Sequence, residues 1–245
     1  MKNKIKIALL GFGKMGQEIN ALCRGSEVFE VVSISFKNKN DKLDLKGIRK
    51  ADVAIDFTSK DAVLENIKEV AKLRKNLIIG TTGWYDEFDK VKALVAKYKI
   101  GLIYSPNFSI GANIFFKITA FSSKLFSKFS DYDVYGLEVH HKRKLDSPSG
   151  TALKIASEII KNFPSKKSIL TEKSDGQIKP SELHFASLRA GRNPGLHEVV
   201  FDSNADGITL SHQAYNRVGF AKGALLAANF IKNKKGFYSF EDIFN

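Results

Sequence analysis

The sequence predicts an α/β protein in which a doubly wound parallel sheet is joined to an α+β region with a mixed sheet. Three observations predict this. Short apolar runs alternate with stripes of helical spacing through the first hundred residues, and a Gly-x-Gly-x-x-Gly run separates the first strand from the first helix. After Pro106, strand-like segments follow one another with few helices between them. Strands separated by single helices need right-handed crossovers and pair in parallel, whereas consecutive strands form antiparallel or mixed sheets.

Ile5 to Leu10 reads as the first strand, and Met15, Ile19, Leu22 and Cys23 recur at helical spacing behind it. Val31 to Phe36 and Val53 to Phe57 are the next strands, followed by the helical face Ala62, Val63, Ile67, Val70 and Ala71. Leu77 to Ile79 is a fourth strand, Phe88, Val91, Leu94, Val95 and Tyr98 a helix, and Leu102 to Tyr104 a fifth strand. Ile114, Ile118, Phe121 and Leu125 mark a long helix. Tyr132–His141, Leu183–Arg189, Leu196–Asp202 and Gly207–Ala214 are then strand-like, interrupted by a helix carrying Ile155, Ala156, Ile159 and Ile160. Residues Lys166–Pro180, rich in Lys, Ser and Gly, read as a surface loop. A last helix, Phe220 to Ile231, is expected to return to the first domain. The domains are accordingly placed at 1–107 with 216–245, and at 108–215.

Composition narrows the function classes. The 245 residues include one cysteine, so no intramolecular disulfide framework exists and a cytoplasmic location is expected. No run approaches the ~18 apolar residues of a membrane span, and the basic start leads directly into a strand, so neither a membrane partner nor a signal peptide is expected. The net charge of +13 comes mainly from lysines spread along the chain. A nucleic-acid surface gathers its basic residues on one face, so no nucleic-acid partner is inferred.

The Gly11-Phe12-Gly13-Lys14-Met15-Gly16 run follows an apolar strand and opens an amphipathic helix, the context of a Rossmann-type dinucleotide site. Gly11 permits the tight turn, Gly13 the approach of a pyrophosphate and Gly16 close helix–strand packing. The helix start offers free N–H groups to phosphate. Gly80, Thr81 and Thr82 follow the fourth strand, and Ser105, Pro106, Asn107 and Phe108 the fifth. Both segments lie at carboxyl ends of strands, where open α/β sheets bind ligands.

The densest cluster runs Glu138-Val-His140-His141-Lys-Arg-Lys144-Leu-Asp146-Ser-Pro-Ser149-Gly150-Thr151-Ala152. Adjacent histidines on a strand point to opposite faces, and neither a Cys cluster nor an HExxH spacing occurs, so no metal site is expected. Ser149, Gly150 and Thr151 precede a helical stripe and form an anion pocket at a helix start. With the Lys144 charge and a titratable His140, such a site suits a small substrate bearing carboxylates.

HHKRKLDSPSGTA closely resembles the H-H-x-x-K-x-D-x-P-S-G-T-A signature of the 4-hydroxy-tetrahydrodipicolinate (dihydrodipicolinate) reductase family. The resemblance extends to the glycine loop, GTTG, SPNFSIGAN and LRAGRNPGLHEVVF. It implies a two-domain oxidoreductase of the diaminopimelate route to lysine, a homotetramer built through the sheet of its substrate-binding and oligomerisation domain. It implies NAD(P)H-dependent reduction of (2S,4S)-4-hydroxy-2,3,4,5-tetrahydrodipicolinate to tetrahydrodipicolinate. By the match, His140 is the proton donor and acceptor, and Lys144 is a second donor that also fixes a carboxylate. His141, Ser149, Gly150 and Thr151 bind the dicarboxylate. Gly11 to Gly16, Gly80 to Thr82 and Ser105 to Phe108 line the cofactor.

Two features depart from the family's pattern: a glycine loop one residue shorter than is often found, and Phe36-Lys37 where an acid is common after the second strand. An acid there accepts the ribose 2′-OH, and a cation accommodates a 2′-phosphate. Lys37, with Lys39 nearby, therefore makes NADPH the expected cofactor, with NADH the alternative. Two rivals are an amino-acid or aldose dehydrogenase, which would share the glycine loop but has no reason to carry the histidine–lysine signature, and a non-catalytic dinucleotide sensor, which would need a partner-binding region.

Overall fold

Parallel strands buried on both faces need apolar side chains on both, and Ile5–Leu10 (β1) has them, with only Lys6 exposed. The computed structural model describes residues 3–36, 42–172, 174 and 176–245. After β1 come Lys14–Cys23 (α1), Phe29–Ser35 (β2), Leu45–Lys50 (α2), Val53–Asp56 (β3), Val63–Lys72 (α3), Asn76–Ile79 (β4), Phe88–Tyr98 (α4) and Gly101–Tyr104 (β5). Ile110–Phe126 (α5), Asp133–His140 (β6), Gly150–Asn162 (α6), Ser168–Leu170 (β7), Glu182–Arg189 (β8), Leu196–Asp202 (β9) and Gly207–Gln213 (β10) follow. Val218–Ile231 (α7) and Gly236–Ser239 (β11) come next, and a short 3₁₀ helix, Phe240–Phe244, follows β11. No helix among the described residues is long and apolar enough to cross a membrane.

The chain divides into two units, one running through Ile110 and resuming at Arg217, the other Gly111–Asn216. In the first, six parallel strands lie in the order β11-β5-β4-β3-β1-β2. Ile7, Leu9, Ile55 and Ile78 face α1 and α7, where Ile19 meets Ala224, Ala228 and Ile231. Ala8, Leu10, Ala54, Leu77 and Ile79 face the other way, onto Ile48 of α2, Ile67 and Val70 of α3, and Val91 of α4. Both faces are covered, so the sheet is doubly wound. β1 has β2 on one side and β3 on the other, and this reversal of strand order opens a crevice beyond their carboxyl ends.

Two elements of this unit escape a reading of periodicity. α2 is too short to show a stripe; it is set by Asp44, whose Oδ1 accepts from Gly47 N at 2.9 Å. β11 follows a lysine-rich turn and pairs in parallel with β5. Asn76 secures that turn: its Nδ2 donates to Ile231 O (2.6 Å) and Lys232 O (3.0 Å), while its Oδ1 accepts from Gly101 N (2.7 Å).

The second unit is a mixed sheet in the order β10-β9-β6-β8-β7, with β6 parallel to β8 and antiparallel to β9. Its inner face, with Val134, Phe185, Val199 and Phe201, packs on Ala112 and Phe116 of α5 and on Ile155 and Ile159 of α6. One expectation needs correction: residues 166–180 are not wholly a surface loop. β7 pairs with β8 there, and Lys166 is buried, its Nζ 2.6 Å from Asp133 Oδ1 and 3.0 Å from Glu182 O. Paired in this way, an ammonium tolerates burial that the composition of the segment did not suggest.

Candidate active site

The strand-to-helix turn after β1 depends on its glycines. Gly11 has φ +92°, and a Cβ there would lie 2.6 Å from Phe57 O; one on Gly16 would run into the carbonyl of Gly11. Around Gly13 nothing lies within 4 Å of a Cβ position, so its backbone is open to a ligand. Gly13 caps α1 without a side-chain bond, and the first turn of α1 carries no acid, leaving its N–H groups and partial positive charge for an anion. These residues fit a dinucleotide's phosphates.

A cleft of about 580 Å³ brings Gly13, Lys14 and Met15 together with Gly80, Thr81 and Thr82. It also includes residues 57–60, which sequence reasoning missed, although they follow β3 as Gly80 follows β4. One carboxylate ties these loops. Asp56, fully buried, accepts on Oδ1 from Thr58 N (2.9 Å), Thr58 Oγ1 (2.7 Å) and Thr81 Oγ1 (2.8 Å), and on Oδ2 from Asn66 Nδ2 (2.8 Å). Burial pushes its carboxyl up despite those four donors.

Ser105 to Phe108 follow β5 but do not line that cleft. Ser105 Oγ donates to Asn107 O (2.8 Å), and Asn107 Oδ1 accepts from Ser109 N (2.8 Å), a self-bonded turn. Phe108 is core, its ring packed on Phe57 and Phe240 and its carbonyl against Gly223, and the residue is buried as a whole. Phe12 packs at the edge of the core of this unit. Lys37 lies outside the described residues.

In the second unit, β6 places Glu138 and His140 on its buried inner face by alternation. Glu138 Oε1 accepts from Ser149 N (2.9 Å), Ser187 Oγ (2.9 Å) and Arg189 Nη2 (2.6 Å), and Oε2 accepts from the Ser149 hydroxyl. Burial raises the proton affinity of this carboxyl, but the donors from His197, Ser149 and Arg189 outweigh it and hold the carboxyl well below the usual range. His140 Nδ1 lies 3.2 Å from Glu138 Oε2, and His197, edge-on to the His140 ring at 5.1 Å, brings its Nε2 within 3.4 Å of the same oxygen. Burial pushes His140 down to about 4; Glu138 opposes this, while His197, Lys144 and Arg189 add to it.

β6 ends at His140, so His141 belongs to the following turn and strand alternation does not govern it. Its N–H donates to Asn193 O (2.8 Å), and its carbonyl accepts from Lys144 N (3.0 Å). Lys144 Nζ pairs with Asp146 Oδ1 at 2.8 Å. Ser149 caps α6 by accepting from Ala152 N (3.1 Å), Gly150 is exposed with open space around it, and Thr151 lies in the first turn. No acidic residue lies in the first turn of α6, but its leading N–H groups are already engaged by carboxylates: Ser149 N donates to Glu138, and Asp146, the partner of Lys144, accepts from the Gly150 N–H.

Glu138, His140 and His197 bring three donor atoms within 4.8 Å of one another, a grouping that the sequence did not reveal. The Glu138 oxygens already accept from two serines and the Arg189 cation, so the trio reads as a hydrogen-bonded network. Gly195 was also missed. It has φ +154°, and a Cβ there would stand 3.0 Å from His140 Nε2, so glycine keeps that nitrogen accessible.

Comparisons with known proteins agree along the whole chain. Residues 5–108 match the family model described as dihydrodipicolinate reductase, N-terminus, and residues 111–244 match the model for its C-terminus. A 4-hydroxy-tetrahydrodipicolinate reductase of Christiangramia forsetii is 35% identical over 98% of this chain and 97% of its own. One of Archaeoglobus fulgidus is 36% identical over 97% and 99%. The dipicolinate-bound dihydrodipicolinate reductase of Paenisporosarcina sp. TG-14 superposes with a TM-score of 0.81 at 29% identity, covering 98% of this chain and 100% of that one. An amine dehydrogenase of Mycobacterium smegmatis, at 11% identity and TM-score 0.63, shares the fold. With both halves of the family model matched and full-length relatives above 30% identity, this chain belongs to the dihydrodipicolinate reductase family of oxidoreductases.

Proposed function

We propose that the protein is a 4-hydroxy-tetrahydrodipicolinate reductase, converting a cyclic imine dicarboxylate to tetrahydrodipicolinate. The observation that carries this reading is a buried imidazole, His140, on the same signature as a capped helix start whose Gly150 N–H, together with the Lys144 cation, already holds a carboxylate, that of Asp146. One group can give a proton while the other holds a carboxylate. When bound, a reduced nicotinamide supplies the hydride. The glycine loop and the start of α1 would hold its phosphates, and Gly80–Thr82 and Ser105–Asn107 would line its remaining length. Once the 4-hydroxyl has left as water the imine is conjugated, and hydride addition to it leaves electron density on the ring, which a proton from His140 quenches. Lys144 exchanges Asp146 for a substrate carboxylate and gives the second proton, and His141 with Gly150 and Thr151 completes the carboxylate pocket. A dianion at this position also favours the protonated imidazole, offsetting the effect of burial.

NADPH is the proposed cofactor over NADH, because Phe36-Lys37 offers no carboxylate to repel a 2′-phosphate. A cytoplasmic homotetramer is the proposed assembly. The outer face of the second sheet supports it: Tyr135, Leu137, Val139 and Leu188 alternate with the buried residues of their strands, an apolar surface of the kind that interfaces cover. The test of function is loss of absorbance at the reduced-nicotinamide band, with substrate made in situ by the preceding synthase. Turnover supports the reading. Cofactor binding without turnover would favour a dinucleotide sensor.

A further inference from the structure

Glu138 has more partners than any single structural task requires. Capping α6 needs only Ser149, and neutralising Arg189 needs only one oxygen. Yet this fully buried carboxylate joins four elements: His140 on its own strand, Ser187 and Arg189 on β8, His197 on β9, and Ser149 at the start of α6. Four donated bonds fill most of the lone-pair sites of its two oxygens and leave it no freedom to swing. Against this fixed group lies His140 Nδ1, buried, at 3.2 Å and without a hydrogen bond. The other ring nitrogen, Nε2, stands over Gly195, where the absence of a Cβ keeps it clear.

Resting on the reading of His140 as the proton donor, we infer that Glu138 is its positioning residue, holding the ring with Nδ1 toward the carboxylate and Nε2 free to give the proton. The step balances simply. The Nε2 proton passes to the ring carbon next to the one that has taken up hydride, and the π pair displaced by that hydride forms the new C–H bond. Nδ1 keeps its proton facing Glu138, and Nε2 recovers one from solvent.

The charges around His140 make Glu138 decisive. His197 from β9, Arg189 from β8 and Lys144 from the turn after β6 all disfavour an imidazolium, and His212 on β10 stands behind His197. Asp146 is committed to Lys144. Glu138 is the anion in direct contact with the ring. An amide in its place keeps the shape and removes that charge.

The experiment compares the pH dependence of kcat in the wild type, Glu138→Gln, Glu138→Asp and His140→Gln. A general acid works in its protonated form, so kcat falls as pH rises through its pKa in the substrate complex. Glu138→Gln is expected to move that alkaline limb down by about one pH unit and to lower kcat above it about tenfold. The KM for cofactor should not change, and Glu138→Asp should restore the limb. A Glu138→Gln enzyme with an unmoved limb, alongside an impaired His140→Gln enzyme, overturns this inference and leaves the functional reading standing. Normal turnover by His140→Gln overturns both. Should Glu138→Gln fail to fold, nitrogen NMR of the wild-type histidines decides, with His140→Gln assigning the signal: a neutral His140 protonated on Nδ1 supports the inference, and one protonated on Nε2 overturns it.

Discussion

A methyl group at position 195 separates packing from chemistry. Gly195→Ala would place its Cβ 3.0 Å from His140 Nε2 and 3.6 Å from His197 Cε1, at a φ that side chains rarely adopt. The ring must shift, and small misplacements of a reacting group cost on the order of 10²-fold in rate. Gly195→Ala should therefore lose about that much kcat while its cofactor affinity, measured by fluorescence titration, stays at the wild-type value. A second consequence concerns acid. His140 is held near 4 against about 6.5 unfolded, so the unfolded chain takes up this proton first and stability is lost as pH falls from about 6.5 through 4. Glu138, held low, acts in the same direction below the ordinary carboxylate pKa. Together these predict a steep fall in stability below about pH 6, with His140 contributing at most about 3 kcal/mol. Urea titrations at pH 7.5 and 5 would measure it, and a flat or rising midpoint would contradict the assignment.

Among the strands and loops of the first unit, the carboxyl ends of β3 and β4 are fastened through Asp56. In Asp56→Asn, one oxygen becomes an N–H₂ facing donors, either the three on Oδ1 or Asn66 on Oδ2. An unpaired buried polar contact costs roughly 1–3 kcal/mol, and the Thr58 and Thr81 loops that line the cleft should loosen. Cofactor binding by calorimetry should weaken about tenfold, while Glu65→Gln on the exposed face of α3 should leave it unchanged. The same elements show what the sequence made legible. The glycine loop and GTTG were visible because strand, turn and helix are consecutive in the chain. Asp56 was not, because it reads as the polar end of an apolar run, and its partners Asn66 and Thr81 lie 10 and 25 residues away. Glu138 was likewise present in the signature without a role. Its partners Ser187 and Arg189 are 49 and 51 residues distant and meet it only because β6 pairs with β8.

The alternation of strands and helices along the sequence disclosed both architectures, while the short elements α2, β7 and β11 were invisible because they are too brief for a period to register. The basic composition has one specific consequence. Lys37 and Lys39 come after β2 in the sequence, and a solvated cation that meets a 2′-phosphate contributes up to about 1 kcal/mol. NADPH should therefore bind more tightly than NADH, by up to roughly fivefold per lysine. The preference should shrink with added salt and largely vanish in a Lys37→Ala, Lys39→Ala double variant. Equal affinities for the two cofactors in the wild type would show that the missing acid does not select between them.

Reduction of a cyclic imine dicarboxylate with a proton from His140 is checked by kcat for His140→Gln, with reduced-cofactor affinity measured on the same folded sample. Cofactor binding should be unchanged and kcat lower by about 10²–10⁴. Wild-type turnover by that variant would contradict it.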